Sequence, residues 1–126
     1  MIGLFLVTHG TLGEALIQCV CHVLDKRPPL LGLSAAEDPA DALPLARRMI
    51  ATVDEGDGVL LLADLYGATP CNVATRLIEP GRVELVAGVN LPMLLRLLTH
   101  REGDLDTLIR RALSGAGDGV IHVQPG

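Results

Sequence analysis

The sequence is poor in aromatic residues and in positive charge. Its 126 residues include two aromatic side chains, Phe5 and Tyr66, and no tryptophan. Ten lysine and arginine residues stand against fifteen aspartate and glutamate residues, which gives a formal net charge of −5. Nucleic-acid binding needs a basic face to neutralise phosphates, and single strands are commonly held by stacking on aromatic rings. Both scarcities therefore argue against a nucleic-acid-binding protein.

Cysteines and long apolar runs are scarce as well. The three cysteines, Cys19, Cys21 and Cys71, are an odd number without C-x-x-C spacing, which argues against disulfides, zinc and redox chemistry and favours buried free thiols. No apolar run approaches the roughly 18 residues that a membrane-spanning helix needs. The N-terminal stretch also lacks the basic region of a signal peptide. We therefore expect a cytoplasmic protein that does not span a membrane.

What is present is the composition of a globular domain. Hydrophobic residues make up 49% of the chain and charged residues 20%. A chain of this length can bury a core without help from metals or disulfides. We see no linker, repeat or low-complexity segment, so residues 1–126 are predicted to form a single domain.

Apolar runs of strand type alternate with segments of helical periodicity, which predicts parallel strands joined by helices. The predicted strands cover residues 2–7, 30–34, 58–63 and 83–87. The first and third are apolar on both faces, as central strands of a sheet covered on both sides must be. A last run at residues 120–123 predicts a terminal strand, carried on a glycine-rich tether over 114–119.

Five helices are predicted from 3.6-residue periodicity and capping signals. The stripe predicted for the first helix consists of Leu12, Ala15, Leu16, Cys19, Val20, Val23 and Leu24. The second helix has two possible starts, capped at Asp38 or at Asp41, because the later start keeps Pro44 in the first turn. The remaining signals are a cap at Thr69 for the third helix, a cap at Asn90 for the fourth, and an end at Gly115 for the fifth.

Polar residues follow the predicted strands where a sheet of this type carries its chemistry. In open α/β sheets, ligands gather at the carboxyl ends of the strands. His9 follows the first strand and Asp64 follows the third, so the two face each other if these strands are neighbours, as in a flavodoxin-like order. A carboxylate on one ring nitrogen fixes the tautomer of a histidine and leaves the other nitrogen free to attack. Gly10 and the following helix start leave room for an anion.

Three blocks of this sequence resemble the IIA component of the mannose-type phosphotransferase system. They are F-L-V-T-H-G at residues 5–10, A-D-L-Y-G-A-T-P-C-N at 63–72, and A-G-V-N-L-P-M at 87–93. They appear in the order and at the spacing of that family, over nearly the whole chain. The resemblance implies a flavodoxin-like α/β fold, with a doubly wound, mainly parallel sheet, helices on both faces and a terminal antiparallel strand.

The resemblance also implies a function and a set of site residues. His9 would accept a phosphoryl group from the phosphocarrier HPr and pass it to a IIB partner, with Asp64 orienting the ring. The phosphate-binding or supporting residues would be Thr8, Gly10, Gly67 and Thr69, and the candidate partner contacts are Tyr66, Asn90 and Met93. The family usually carries a hydroxyl residue at position 65, so Leu65 removes one possible phosphate contact.

Several expectations accompany that function. No cofactor, metal or nucleotide is implied, since the chain has no P-loop and no clustered carboxylates. A homodimer is implied, in which the terminal strand is exchanged between copies. Two alternatives stay open: a regulatory phosphoacceptor without sugar transport, and a phosphoryl domain that serves dihydroxyacetone kinase. His22, His100 and His122 have no partner in the sequence pattern and are predicted to be without chemistry.

Overall fold

Four parallel strands form the sheet of the computed structural model, which describes residues 1–34 and 38–126. The strands are β1 (Gly3–Thr8), β2 (Leu30–Ser34), β3 (Val59–Ala63) and β4 (Val83–Ala87), in the order β2-β1-β3-β4. Every pairing is parallel, and β1 and β3 are the two inner strands. The four strand predictions are therefore confirmed, each to within one residue at either end.

Five helices cover both faces of the sheet. They are α1 (Leu12–Leu24), α2 (Pro39–Val53), α3 (Thr69–Thr75), α4 (Leu91–Thr99) and α5 (Leu105–Asp118). Because side chains alternate along a strand, β1 sends Leu4 and Leu6 into one core with α1, α4 and α5, and Phe5 and Val7 into another with α2 and α3. The predicted α/β fold with a doubly wound parallel sheet is confirmed. None of the helices described is long and apolar enough to cross a membrane.

The face that α1 buries differs from the predicted stripe. Gly13, Ile17 and Val20 are its buried residues, whereas Leu12 and Val23 are exposed. The helix carries apolar residues around most of its circumference, so periodicity alone could not choose the stripe. The same shift leaves Cys19 exposed and Cys21 half-buried, and only Cys71 is buried, so the prediction of three buried thiols was wrong for two of them.

Capping side chains fix the starts of three helices. Asp38 accepts a hydrogen bond from the backbone N–H of Ala40, which selects the earlier of the two possible starts for α2 and leaves Pro44 inside the helix. Asn90 caps α4 as predicted, and Asp104 caps α5. The cap predicted at Thr69 was wrong by one residue, because Ala68 precedes α3 and makes no side-chain cap.

The glycines near the C-terminus belong to a helix and not to a tether. The helix α5 continues past Gly115 to Asp118, with Gly119 as its C-cap. A Cβ on Gly115 would lie 2.9 Å from Cβ of Arg96, and one on Gly119 would collide with the ring of Pro92. These positions are therefore glycine because α5 packs closely on α4, which a sequence pattern does not reveal.

Residues 120–126 form no strand, so the terminal strand is absent from the structure of this single chain. Val120, Ile121 and Val123 are 77%, 70% and 80% exposed. The apolar pattern of residues 120–123 predicts a strand, but a strand needs a partner edge, and no described strand of the same chain pairs with this segment.

Candidate active site

The strand order brings together the two residues that were predicted to face each other. In the register of the sheet Val7 of β1 lies opposite Ala63 of β3. His9 comes two residues after Val7, and Asp64 comes directly after Ala63, so both lie at the carboxyl edge of the inner strands. This is the edge at which α/β sheets place their ligands.

One carboxylate oxygen holds His9 at two points. Oδ2 of Asp64 lies 2.7 Å from Nδ1 of the His9 ring, and it accepts a second hydrogen bond from the backbone N–H of His9 at 2.9 Å. The Asp64 side chain is 10% exposed and the His9 side chain is 54% exposed. The aspartate therefore fixes both the backbone and the ring, while the opposite side of the ring faces solvent.

The protonation state of Asp64 decides which ring nitrogen is free. Burial acts to raise the pKa of Asp64, but the hydrogen bonds from the backbone and ring of His9 outweigh it and hold the pKa below its ordinary value. The carboxylate is therefore ionised near neutral pH and can only accept hydrogen bonds. In the neutral His9 ring, Nδ1 therefore carries the proton that it donates to Asp64, and Nε2 keeps its lone pair.

Thr8, which precedes His9, is a buried supporting residue. Thr8 is fully buried, and its hydroxyl finds no partner among the described residues. A Cβ on Gly13 would lie 2.8 Å from that hydroxyl, so the first turn of α1 sits directly on Thr8. Thr8 can therefore support the loop but does not reach the exposed side of the ring. Gly13 was not singled out in the sequence, where a glycine in a helical stripe carries no signal of close packing.

Gly10 and Gly67 are glycine because of backbone conformation. Their φ angles are 46° and 82°, in the left-handed region that other residues rarely adopt. A Cβ at either position would meet nothing within 4 Å, so the space beside both is open. The prediction that Gly10 leaves room for an anion agrees with this geometry. Thr69 lies at the surface as the first residue of α3.

The loop after β3 presents apolar side chains to solvent. Leu65 is 60% exposed and Tyr66 is 86% exposed. An aromatic ring that is so exposed packs little against its own chain. Contact with a partner stays a prediction for Tyr66, as aromatic side chains concentrate at protein interfaces.

The other two predicted partner contacts have structural roles, and contact with a partner stays a prediction for Asn90 alone. Met93 is 1% exposed, and its side chain points from α4 into the core that α1, α4 and α5 share with the sheet, so it is not available to a partner. The side chain of Asn90 is half-buried, and its oxygen accepts the N–H of Met93 at 2.9 Å to cap α4. Both residues were chosen from a block that resembles the family, and such a resemblance does not distinguish structural from surface positions.

The remaining histidines lie apart from this pair. His22 is exposed on α1, and His100 ends α4 with its ring near the hydroxyl of Thr99. His122 lies in the exposed terminal segment and contacts Gln124. In the part of the chain that the structure describes, no cluster of three or more histidine, cysteine, aspartate or glutamate side chains could hold a metal.

Comparison with known families identifies the chain. The family model described as the fructose IIA component of the phosphotransferase system matches residues 3–112. The protein belongs to this mannose-type IIA family. The similarity of its three sequence blocks to the IIA family, predicted from the sequence, is thereby confirmed.

Curated proteins that are similar to this chain also contain IIA components of the phosphotransferase system. The chain is 29% identical over 124 residues to the mannose-specific EIIAB component of Escherichia coli (strain K12), covering 94% of this chain and 38% of that protein. It therefore spans about two fifths of the length of these curated IIA-containing relatives. It is 47% identical over 51 residues to the fructose-specific EIIA component of Bacillus subtilis (strain 168), covering 40% of this chain and 35% of that one.

Solved structures of IIA proteins share the fold. The EIIA component from Streptococcus agalactiae superimposes with a TM-score of 0.84 at 22% identity, over 97% of both chains. The mannose/sorbose specific IIA subunit from Enterococcus faecalis gives the same TM-score and identity, over 99% of this chain and 96% of that one. At such identity the likeness concerns the fold alone.

Proposed function

We propose that this IIA protein is a phosphoryl carrier that accepts a phosphoryl group from HPr on His9 and passes it to a IIB partner. The observation that carries the proposal is the 2.7 Å contact between Nδ1 of His9 and the carboxylate of Asp64. It leaves Nε2 as the nitrogen that is both unprotonated and directed away from the aspartate. In this proposal the protein acts in the relay as a phosphotransferase, and it works in the cytoplasm.

The chemistry is an exchange of one phosphorus–nitrogen bond for another. The lone pair of Nε2 attacks the phosphorus atom carried by the donor, and the bond between that phosphorus and the donor histidine breaks. The His9 ring becomes positive as the new bond forms. Asp64 keeps the Nδ1 proton in its hydrogen bond and balances the positive charge, as a buried carboxylate does beside an imidazolium.

The shape of the site favours protein partners over a small-molecule substrate. The His9 side chain is 54% exposed, and it does not line any of five cavities in the described residues. Small-molecule sites are usually concave and bury most of their ligand. Exposed Leu65 and Tyr66 next to Asp64 provide apolar surface that a docked protein would cover, and covering it would exclude water from the transfer.

The loops at this edge would receive the phosphoryl group. The open space beside Gly10 and Gly67 admits a bulky anion, and the exposed hydroxyl of Thr69 is available to donate a hydrogen bond. The helix α1 begins at Leu12, three residues after His9, and helix N-termini favour anions. Thr8 supports this arrangement from below. We propose residues 1–126 as one functional IIA domain.

Transfer of radioactive phosphate from phosphorylated HPr tests the role of His9. We expect His9→Ala to abolish labelling and the wild-type product to be acid-labile and base-stable, as a phosphorus–nitrogen bond is. His22→Ala is the matched control, because His22 is exposed on α1 and should label as wild type. Labelling of His9→Ala at the wild-type level, or its loss in His22→Ala, would contradict the assignment.

Onward transfer separates the carrier from the two alternatives. A regulatory phosphoacceptor and a domain serving dihydroxyacetone kinase would also be labelled on His9, so labelling alone does not exclude them. We expect labelled protein to lose its phosphate to a purified IIB domain within the time in which it was charged. Stable retention of the label in the presence of IIB would remove the carrier function and keep the assignment of His9.

We also propose a homodimer in which residues 120–123 are exchanged between two copies. Three of these four residues are apolar and more than two thirds exposed, which is costly in water. The strand β4 pairs only with β3 among the described strands, and on its outer side Val83 exchanges backbone hydrogen bonds with Glu79, so the rest of that edge offers free N–H and C=O groups. The close packing of Gly119 on Pro92 brings the segment to the end of α4 that follows β4.

Light scattering on the purified chain tests this assembly. We expect a dimer for the full chain and a monomer after deletion of residues 120–126. Deletion of residues 124–126 alone is the control, since it removes Gln124 and the last two residues but keeps the apolar segment. A monomeric full chain would contradict the proposal, as would a dimer that survives the longer deletion. Neither result affects the chemistry of His9.

A further inference from the structure

Two neighbouring cavities open at the end of the sheet opposite to His9. One has a volume of ≈ 310 Å³ and is bounded by Gly3 and Leu30, the first residues of β1 and β2. The other has a volume of ≈ 270 Å³ and is bounded by Leu24 and Leu98. Pro28, Pro29 and Arg101 line both. The first volume lies at the lower end of the range of small-molecule sites, and the second lies just below it.

Arg101 is the unusual residue of this region. It is 9% exposed, which makes it the one buried charged residue among those described. Its guanidinium donates a hydrogen bond from Nη2 to the backbone carbonyl of Ile2 at 2.7 Å, whereas its buried Nε has no partner. No carboxylate in residues 1–34 and 38–126 forms an ion pair with it. A buried charge without a counter-charge is costly unless an anion accompanies it.

The other charges around the two cavities leave them positive in an otherwise acidic protein. Arg27 lines the first cavity and Lys26 lines the second, next to Arg101 in both. Glu55 also lines the first cavity, but its carboxylate is paired with the amino group of Met1 at 3.0 Å. Glu102 lines the second cavity and is exposed. Three cationic side chains therefore line the two cavities, and Glu102 is the one lining carboxylate that has no ion-pair partner among the described residues.

We propose that these cavities form a binding site for a small organic oxyanion, held by Arg101 and Arg27. A guanidinium presents parallel N–H donors that match the oxygens of a phosphate or a carboxylate. The prolines and the leucines at the start of β2 provide an apolar wall for the carbon part of such a ligand. The proposal does not depend on the function of His9, because the site lies at the amino ends of the strands and His9 follows the carboxyl end of β1.

Titration of the full chain, followed by NMR of its backbone amides, tests the site. The probes are glycerol 3-phosphate and pyruvate, which separate a phosphate ligand from a carboxylate ligand, with sodium chloride at equal ionic strength as a reference. For at least one probe we expect saturable shifts in residues 27–31 and around Arg101. We expect the same shifts in His9→Ala.

Variants of the cationic residues show whether these contacts bind the probe. Arg27 is exposed, so Arg27→Gln should leave the fold intact and weaken binding about tenfold or more, the effect of losing a charged hydrogen bond. Arg101→Lys keeps the charge but loses the fork, and it should weaken binding similarly. Arg110→Gln is the control, because this exposed arginine lies outside both cavities.

Three results would overturn the proposal. They are the absence of saturable shifts beyond those of sodium chloride, shifts centred on His9, and unchanged affinity in Arg27→Gln. If Arg101→Lys does not fold, Arg27→Gln decides alone, since its result distinguishes a ligand site from a purely structural arginine.

Discussion

Replacement of Asp64 by asparagine tests whether the charge of the carboxylate, and not only its shape, prepares His9 for phosphorylation. Oδ2 of Asp64 accepts hydrogen bonds from the backbone N–H and from Nδ1 of His9 at 2.9 and 2.7 Å. The amide oxygen of asparagine can accept both from the same place. The substitution therefore removes the negative charge and keeps the contacts, and at 10% exposure little water can replace that charge.

The size of the effect follows from the charge that develops on the ring. Attack by Nε2 makes the His9 ring positive beside a carboxylate whose charge centre lies about 4 Å away, in surroundings with an effective dielectric near 20. The interaction is then about 4 kcal/mol, which corresponds to roughly a thousandfold in rate. Asparagine can also favour the wrong tautomer by offering its amide group to the ring. We expect phosphoryl transfer to slow by about 10²–10⁴-fold.

Rapid-quench measurement of label transfer from phosphorylated HPr gives this rate directly. Asp106→Asn is the matched control, because Asp106 is an exposed carboxylate on α5 and its loss changes the net charge equally. Thermal unfolding of both variants separates a loss of fold from a loss of rate. A rate for Asp64→Asn within a few fold of wild type, in a folded protein, would refute the role of the carboxylate and reduce Asp64 to a structural residue.

Two further predictions concern stability. The lowered pKa of Asp64 makes the folded state bind fewer protons than the unfolded state at acid pH. The contribution of Asp64 to stability is therefore full above about pH 5 and falls as the pH drops through the folded pKa. Urea titrations should show a smaller loss of stability at acid pH in Asp64→Asn than in the wild type, and an identical loss would contradict this. Gly115→Ala should destabilise the protein by about 1–3 kcal/mol, because the added Cβ meets Arg96. Gly117→Ala should stabilise it by about 0.5–1 kcal/mol, because a Cβ there lies in open space. If urea unfolding gave changes in the free energy of unfolding of the same sign for both variants, the packing of α5 described above would be contradicted.

The site was predictable because two simple rules place it. Long apolar runs give the strands, and parallel strands align their carboxyl ends, so residues directly after β1 and β3 meet once these strands are neighbours. His9 and Asp64 could therefore be paired from the sequence alone. What the sequence could not give is the double contact by one carboxylate oxygen, since the backbone N–H of His9 carries no sequence signal.

The incorrect predictions share a cause in close packing. Gly13 allows α1 to sit on Thr8, and this contact, not the count of apolar residues, chooses the face that α1 buries. Gly115 is glycine because it faces Arg96 across a helix contact, yet in sequence it resembles a helix end. In a sequence, a glycine can indicate either a turn or a close packing contact. Only the three-dimensional neighbours distinguish the two.

The small number of contacts around His9 suits a phosphoryl carrier more than a catalyst. A protein that takes a phosphoryl group from one partner and gives it to another is slowed by any contact that stabilises the phosphorylated state more than the transition state. In the proposed transfer, Asp64 contacts the ring nitrogen that would not be phosphorylated, so it would prepare the nucleophile without holding the phosphate. Leu65, at a position where the family usually has a hydroxyl, provides no phosphate contact, and the Thr8 hydroxyl is buried beneath the loop. The phosphoryl group on Nε2 would thus be oriented through the ring and lie at the exposed edge, with Thr69 and the start of α1 as its few contacts, where a second protein can reach and remove it.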